Sequence, residues 1–198
     1  DSSGIAGIKE NSLHYCRAVG KVAAIEKKTK ETHLSLDLAI SHTRWATHGQ
    51  VTEENAHPQL NTECDLAIVH NGIIENFESI KNTLQNEGVT FTSETDTEVI
   101  AHLISKFYKG DILKAVQETM PLLQGAFALA IIHKDFPDQI IATAKESPLA
   151  IGIGQNETFI ASDSNAFLVH THEVAFLNNS EIAVIHAGSF KVYDETAE

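Results

Sequence analysis

The seven residues from Ala126 to Ile132 are all apolar, and that continuity constrains the fold more than any other feature of the chain. A strand with one face in water alternates apolar and polar residues. A run without alternation has to be covered on both faces. Shorter apolar runs, several of them also continuous, recur at Ile5 to Ile8, Leu36 to Ile40, Leu66 to Val69, Gln139 to Thr143 and Leu149 to Ile153, and again at Thr158 to Ala161, Glu181 to Ile185 and Ser189 to Tyr193. Helical patterns cluster in the middle. Asn76 to Asn86 stops before Gly88, a common helix terminator. Thr95-Asp96-Thr97-Glu98 has the form of a capping box, and Val99, Ile100, Leu103, Ile104 and Phe107 behind it share one helical face. Asp111 to Leu123 repeats that spacing, and Ser164 to Val169 reads as a short helix. Strands, then helices, then strands do not give the alternation of a parallel doubly wound sheet. They fit an α+β architecture in layers, with helices packed on two largely antiparallel sheets. No repeat or Gly/Ser/Pro-rich linker interrupts the 198 residues, so the reading is a single domain.

Charge and composition exclude several functions. A net charge of -13 without Lys/Arg clusters argues against binding nucleic acid through its phosphates, or an anionic membrane surface. No apolar run approaches the roughly 20 residues that span a bilayer. The chain opens on Asp1-Ser2-Ser3, with neither the basic start nor the apolar core of a signal peptide. Two cysteines, Cys16 and Cys64, are too few for a disulfide framework, so a reducing, cytoplasmic setting is expected. The eleven histidines include His42 with His48, His57 near His70, and His170 with His172, but none has zinc-site spacing. Neither a metal nor a cofactor is expected.

Three stretches carry candidate chemistry. In Ile68-Val69-His70-Asn71-Gly72, an apolar strand runs into Asn-Gly. That pair is the strongest short signal for a hairpin turn, and it is equally a pair of fixed donors able to hold a developing oxyanion. Ser41-His42-Thr43-Arg44-Trp45-Ala46-Thr47-His48-Gly49 crowds Arg, Trp, Thr and His behind another strand, where the guanidinium fork of Arg44 suits a carboxylate. Asp96 falls in the first turn of a helix, where the dipole already favours an acid; it could also receive an ammonium group. Together these residues would make a pocket for an amino acid, set up for chemistry on a side-chain amide.

The chain closely resembles the glutaminase domains of the glucosamine-6-phosphate synthases, within the N-terminal-nucleophile class of glutamine amidotransferases. The matching strings are Asp1-Ser2-Ser3-Gly4-Ile5-Ala6, the Arg44-Trp45-Ala46-Thr47-His48 stretch, Asn55-Ala56-His57-Pro58 and Asn71-Gly72-Ile73-Ile74-Glu75-Asn76. Ser93 to Ala101, Ser147-Pro148-Leu149 and Ala161-Ser162-Asp163 follow in the family's order. The resemblance implies an αββα four-layer sandwich and hydrolysis of glutamine to glutamate and ammonia. It implies that Arg44 holds the α-carboxylate and Asp96 the α-amino group, that Thr47, His48 and His57 belong to the same pocket, and that Trp45 closes it. The Asn71 side chain and the Gly72 N–H would form the oxyanion hole.

In that family the nucleophile is a cysteine at the first position of the mature chain, with its own α-amine as general base. Here the family's opening strand and helix are not found before Asp1, and neither Cys16 nor Cys64 lies in a catalytic context. Residues 1–198 alone are therefore expected to be inactive. Sugar-isomerase domains are expected in cis in the full-length protein, which would dimerise through them.

Overall fold

The computed structural model describes residues 1–45 and 50–194. The first part of the chain forms β1 (Ser2–Lys9), β2 (Ser12–Val19), α1 (Val22–Glu31), β3 (Leu38–Arg44), β4 (Gln59–Leu60) and β5 (Leu66–Gly72). Three helices follow, α2 (Phe77–Asn86), α3 (Thr97–Phe107) and α4 (Ile112–Thr119). The last part supplies β6 (Phe127–His133), β7 (Ile140–Lys145), β8 (Ala150–Ile153), β9 (Thr158–Ala161), β10 (Val174–Phe176), β11 (Ile182–His186) and β12 (Ser189–Tyr193). Short 3₁₀ turns sit at Met120–Leu122 and Ser164–Ala166.

Six strands make one antiparallel sheet in the order β12-β11-β7-β6-β5-β4. Strand alternation sends successive side chains of this sheet to opposite faces. Leu66, Ile68, Leu129, Ile131, Ile141 and Ile182 meet Val99, Ile100, Ile104, Ile112 and Val116 of the helices. The intervening residues Ala67, Val69, Ala128, Ala130, Ala142 and Ala183 meet a second β layer. One face of the sheet is thus built of large side chains and the other mainly of alanine, which lets the second layer approach closely. This is why Phe127–His133 is buried at every position.

The second β layer is hydrogen-bonded as two antiparallel three-stranded sheets, β2-β1-β3 and β10-β8-β9. Both lie over the alanine-rich face: Ala6, Ile8 and Ile40 come from one, Leu149 and Ile151 from the other. The architecture is the layered α+β sandwich expected, with α2, α3 and α4 outside the large sheet and α1 against β1 and β2.

Several details depart from the sequence reading. Helix α1 and strand β2 are additional elements. No residue of α1 is buried, so no apolar stripe marked it. The β1–β2 hairpin turns at Glu10 and Asn11, both at positive φ, without the glycine that usually announces such a turn. The helix begun at Asp111 ends at Thr119, just ahead of Pro121, and Ser164 to Val169 yields only the three-residue 3₁₀ turn. Asn71 and Gly72 do not form a hairpin turn; they are the last two residues of β5, paired with Ala128 and Phe127. The capping box is not formed either, for a reason that bears on the site.

Candidate functional site

Three element ends converge: the C-terminal ends of β3 and β5 and the N-terminal end of α3. In β3, Ile40, His42 and Arg44 share a face by strand alternation, and Ser41 and Thr43 point away and are exposed. Arg44 is buried. Burial pulls its pKa below the usual guanidinium value, while the carboxylates of Asp96 and Glu94 pull the other way. Trp45, the next residue, is 80% exposed. Thr47 and His48 lie outside the described residues.

In β5 the burial changes sharply between neighbours: His70 is buried, while Asn71 and Gly72 are exposed. Gly72 has a φ of 129°, and a Cβ there would collide with the Ala126 carbonyl. Only glycine lets the end of β5 lie this close to the chain entering β6. The Asn71 Oδ1 is 2.8 Å from Nε2 of His42, which ties β5 to β3 across the two sheets. A cleft of about 340 Å³ runs between β3 and β9 over β5 and β6, lined by Ile40, His42, Asn71, Leu149, Ile160 and Ser162 among others. Its floor includes Val69, Ala128 and Ala130.

Asp96 occupies the N-cap position of α3 without capping it. Its Oδ2 accepts a hydrogen bond from the backbone N–H of Ile74 at 2.8 Å, so α3 is anchored to the segment just after Gly72. Glu98 does not bond back to the N-cap either. Its carboxylate is buried and accepts from the Thr92 N–H at 2.8 Å, the Ser93 N–H at 2.6 Å and the Ser93 hydroxyl at 2.7 Å. Burial raises its pKa, but hydrogen bonds from His102, Ser93 and Thr92 outweigh it and bring it down to about 2. Both acids fasten loops, and the capping box expected of Thr95 and Glu98 fails because Glu98 is held by Thr92 and Ser93 while the Thr95 hydroxyl lies 2.9 Å from that of Ser93.

Behind the site, Thr97 joins two histidines. Its hydroxyl lies 2.8 Å from His57 Nε2 and 2.9 Å from His70 Nδ1. His57 is buried, and its ring centroid is 4.5 Å from that of His42. Burial, reinforced by the positive charge on neighbouring histidines and arginines, holds its pKa well below the ordinary value. His70 is lowered to about 4, chiefly by burial, against the pull of Asp96. At neutral pH both rings are uncharged, so the 4.0 Å approach of His70 to Asp96 is a polar contact rather than an ion pair. His57 thus stands one hydrogen bond behind the helix start that carries Asp96, a supporting place rather than a pocket wall. The Asn55 side chain works similarly: its Nδ2–H₂ donates to Glu94 at 3.0 Å and its Oδ1 accepts from the Glu94 N–H at 2.8 Å.

Arg44, Asn71, Gly72 and Asp96 are therefore brought to one place from separate elements, with Trp45 beside them. His42, His70 and Thr97 were not singled out from the sequence as site residues. The one available signal was the two-residue spacing of His42 and Arg44 on a strand. Cys16 is buried, which pushes its thiol pKa up, and Cys64 is exposed at the turn before β5.

A family model described as a glutamine amidotransferase domain matches residues 42–169. Glutamine--fructose-6-phosphate aminotransferase [isomerizing] of Clostridium perfringens is 42% identical over 195 residues, covering 98% of this chain and 32% of the relative. The enzyme of the same name from Acinetobacter baylyi is 46% identical over 195 residues, again covering 98% and 32%. The chain thus spans about a third of the length of these curated relatives. Among solved structures, the glutamine phosphoribosylpyrophosphate amidotransferase from B. subtilis, complexed with ADP and GMP, superposes with a TM-score of 0.84 at 25% identity, covering 98% of this chain and 43% of that one. A structure described as the allosteric regulatory enzyme of purine biosynthesis gives 0.85 at 26% identity, with the same coverages.

Proposed function

We propose that this chain, which belongs to the glutamine amidotransferase domain family, hydrolyses the side-chain amide of glutamine to glutamate and ammonia once a cysteine nucleophile is supplied from a segment outside residues 1–198. In the whole protein the ammonia would serve conversion of fructose 6-phosphate to glucosamine 6-phosphate, as the names of the curated relatives suggest. Sugar-isomerase domains in cis, dimerisation through them and a cytoplasmic location belong to the same proposal. Among the described residues, no helix is long and apolar enough to cross a membrane.

The observation that carries the reading is the meeting of a buried cation, a carboxylate and an exposed Asn-Gly pair at three element ends. The Arg44 fork would receive the α-carboxylate and Asp96 the α-ammonium, which orients the side-chain amide toward Asn71 and Gly72. The cysteine's α-amine takes the thiol proton as the sulfur attacks the amide carbon, and the carbonyl π electrons move onto oxygen. Asn71 Nδ2–H and the Gly72 N–H stabilise that charge; ammonia leaves with a proton from the cysteine's α-amine, and water hydrolyses the thioester. Thr47 and His48 would complete the pocket, with Trp45 closing it and His57 supporting Asp96 from behind. The segment that brings the cysteine would seat as a strand in the cleft between β3 and β9. Among the described residues each of those strands pairs on one side only.

The test is the residue encoded upstream of Asp1, followed by turnover. A protein beginning Met-Cys-Gly should release glutamate from glutamine, while residues 1–198 alone should not. Any other residue after Met, with glutamine bound but not hydrolysed, would replace the enzyme by a non-catalytic amino-acid-binding module.

A further inference from the structure

Resting on the oxyanion reading of Asn71, we propose that His42 is a positioning residue that fixes which way round the Asn71 amide faces. An asparagine side chain serves an oxyanion in one of two orientations related by a half-turn. In one, Nδ2–H₂ faces the developing charge. In the other, Oδ1 faces it and repels it. Asn71 is exposed at the end of β5, so packing does not choose between them. The 2.8 Å hydrogen bond from His42 does, because an Nε2–H can be answered only by Oδ1, which turns Nδ2–H₂ the other way.

What makes His42 a dependable donor is the state of its ring. Its Nδ1 is buried and makes no hydrogen bond among the described residues; the nearby His70 carbonyl attracts a proton without reaching bonding geometry. Burial, aided by the charge of Arg44, keeps the ring's pKa below its ordinary value, so at neutral pH it carries one proton. That proton is most stable on Nε2, where an acceptor waits. The His57 ring, tilted against His42 at 4.5 Å between centroids and held by Thr97, restrains His42 from turning. The alternative tautomer would present a lone pair from Nε2, draw Nδ2–H₂ toward itself and aim Oδ1 at the substrate. Which ring nitrogen bears the proton therefore decides whether the oxyanion hole exists.

Two measurements test this. Long-range ¹H–¹⁵N correlation spectra of residues 1–198 at pH 7.5 should show His42 as the Nε2–H tautomer, and Asn71→Ala should perturb that ring alone among the histidines of the site. An Nδ1–H tautomer overturns the proposal. In the protein that carries its nucleophile, His42→Ala should lower kcat for glutamine hydrolysis by about 10- to 100-fold, short of the full loss of an oxyanion donor, with KM changed less than twofold. His42→Gln, whose amide N–H reaches the same acceptor, should recover most of it. An unchanged kcat in His42→Ala, or an equal loss in His42→Gln, overturns the proposal. If the wild type releases no glutamate, the glutaminase reading fails; the tautomer distinguishes that failure from failure of His42 to position Asn71.

Discussion

Lowering the pH from 7 to 5 should destabilise this domain, and His70 supplies a magnitude. Its folded pKa is about 4 against an ordinary 6.5. Above 6.5 both folded and unfolded chains hold the ring neutral and stability is at its full value. As the pH falls below 6.5 the unfolded chain takes up a proton that the folded chain refuses, so stability drops until the folded group titrates near 4, and then levels off. With a shift of that size, the loss between pH 7 and pH 5 is about 2 kcal/mol from this residue. His57, whose pKa is displaced in the same direction, steepens the decline. The perturbation is His70→Asn, which keeps a polar atom near the Thr97 hydroxyl but cannot titrate. The variant should be less stable at pH 7, yet lose about 2 kcal/mol less than wild type on going to pH 5. Urea unfolding at each pH should be followed by far-ultraviolet circular dichroism, because the single tryptophan, Trp45, is 80% exposed and its emission would report little of unfolding. Equal losses in wild type and variant would refute the assignment of the acid limb to His70.

Other substitutions probe the remaining contacts. Arg44→Lys keeps the charge but loses the planar fork, so affinity for glutamate by calorimetry should fall at least tenfold; unchanged affinity would count against a carboxylate role. Gly72→Ala sets a Cβ against the Ala126 carbonyl at a φ of 129°, and should lower stability by about 1–3 kcal/mol, read as a drop in Tm; an unshifted Tm would contradict the close approach. Glu98→Gln weakens the acceptor for Thr92 and Ser93 and should cost about 2 kcal/mol at pH 7. Because the folded pKa of Glu98 is depressed from 4.5 to about 2, its contribution is complete above 4.5 and lost as the pH falls toward 2. The Gln variant should therefore show a flatter decline in that window.

The layers were legible because the run from Ala126 to Ile132 reads as a strand covered on both faces, and the α3 stripe reads as a helix with a buried side. Helix α1 was not legible, since it buries no residue and so carries no periodic signal. In the site, Arg44, Asn71, Gly72 and Asp96 could be named from residue type and from the resemblance. Their partners could not. That His42 meets Asn71, and that Thr97 links His57 to His70, depends on how β3 lies across β5 in another sheet, which no local pattern encodes. Asp96 shows the same limit: its place in the first turn of a helix accounted for an acid there, but not for the hydrogen bond its oxygen accepts from Ile74 in a different segment.

The alternation of alanine with larger residues along β5, β6 and β7 leaves the central sheet with two opposite mutational vulnerabilities. Toward the helices, replacing Ile68, Leu129 or Ile131 by a smaller side chain opens a void. Toward the second β layer, replacing Ala67, Ala128 or Ala130 by a larger side chain forces the layers apart, at Ala128 and Ala130 where the cleft runs. Because His42 and Asn71 come from the two layers and meet at 2.8 Å, the spacing of the β layers sets the geometry of the site.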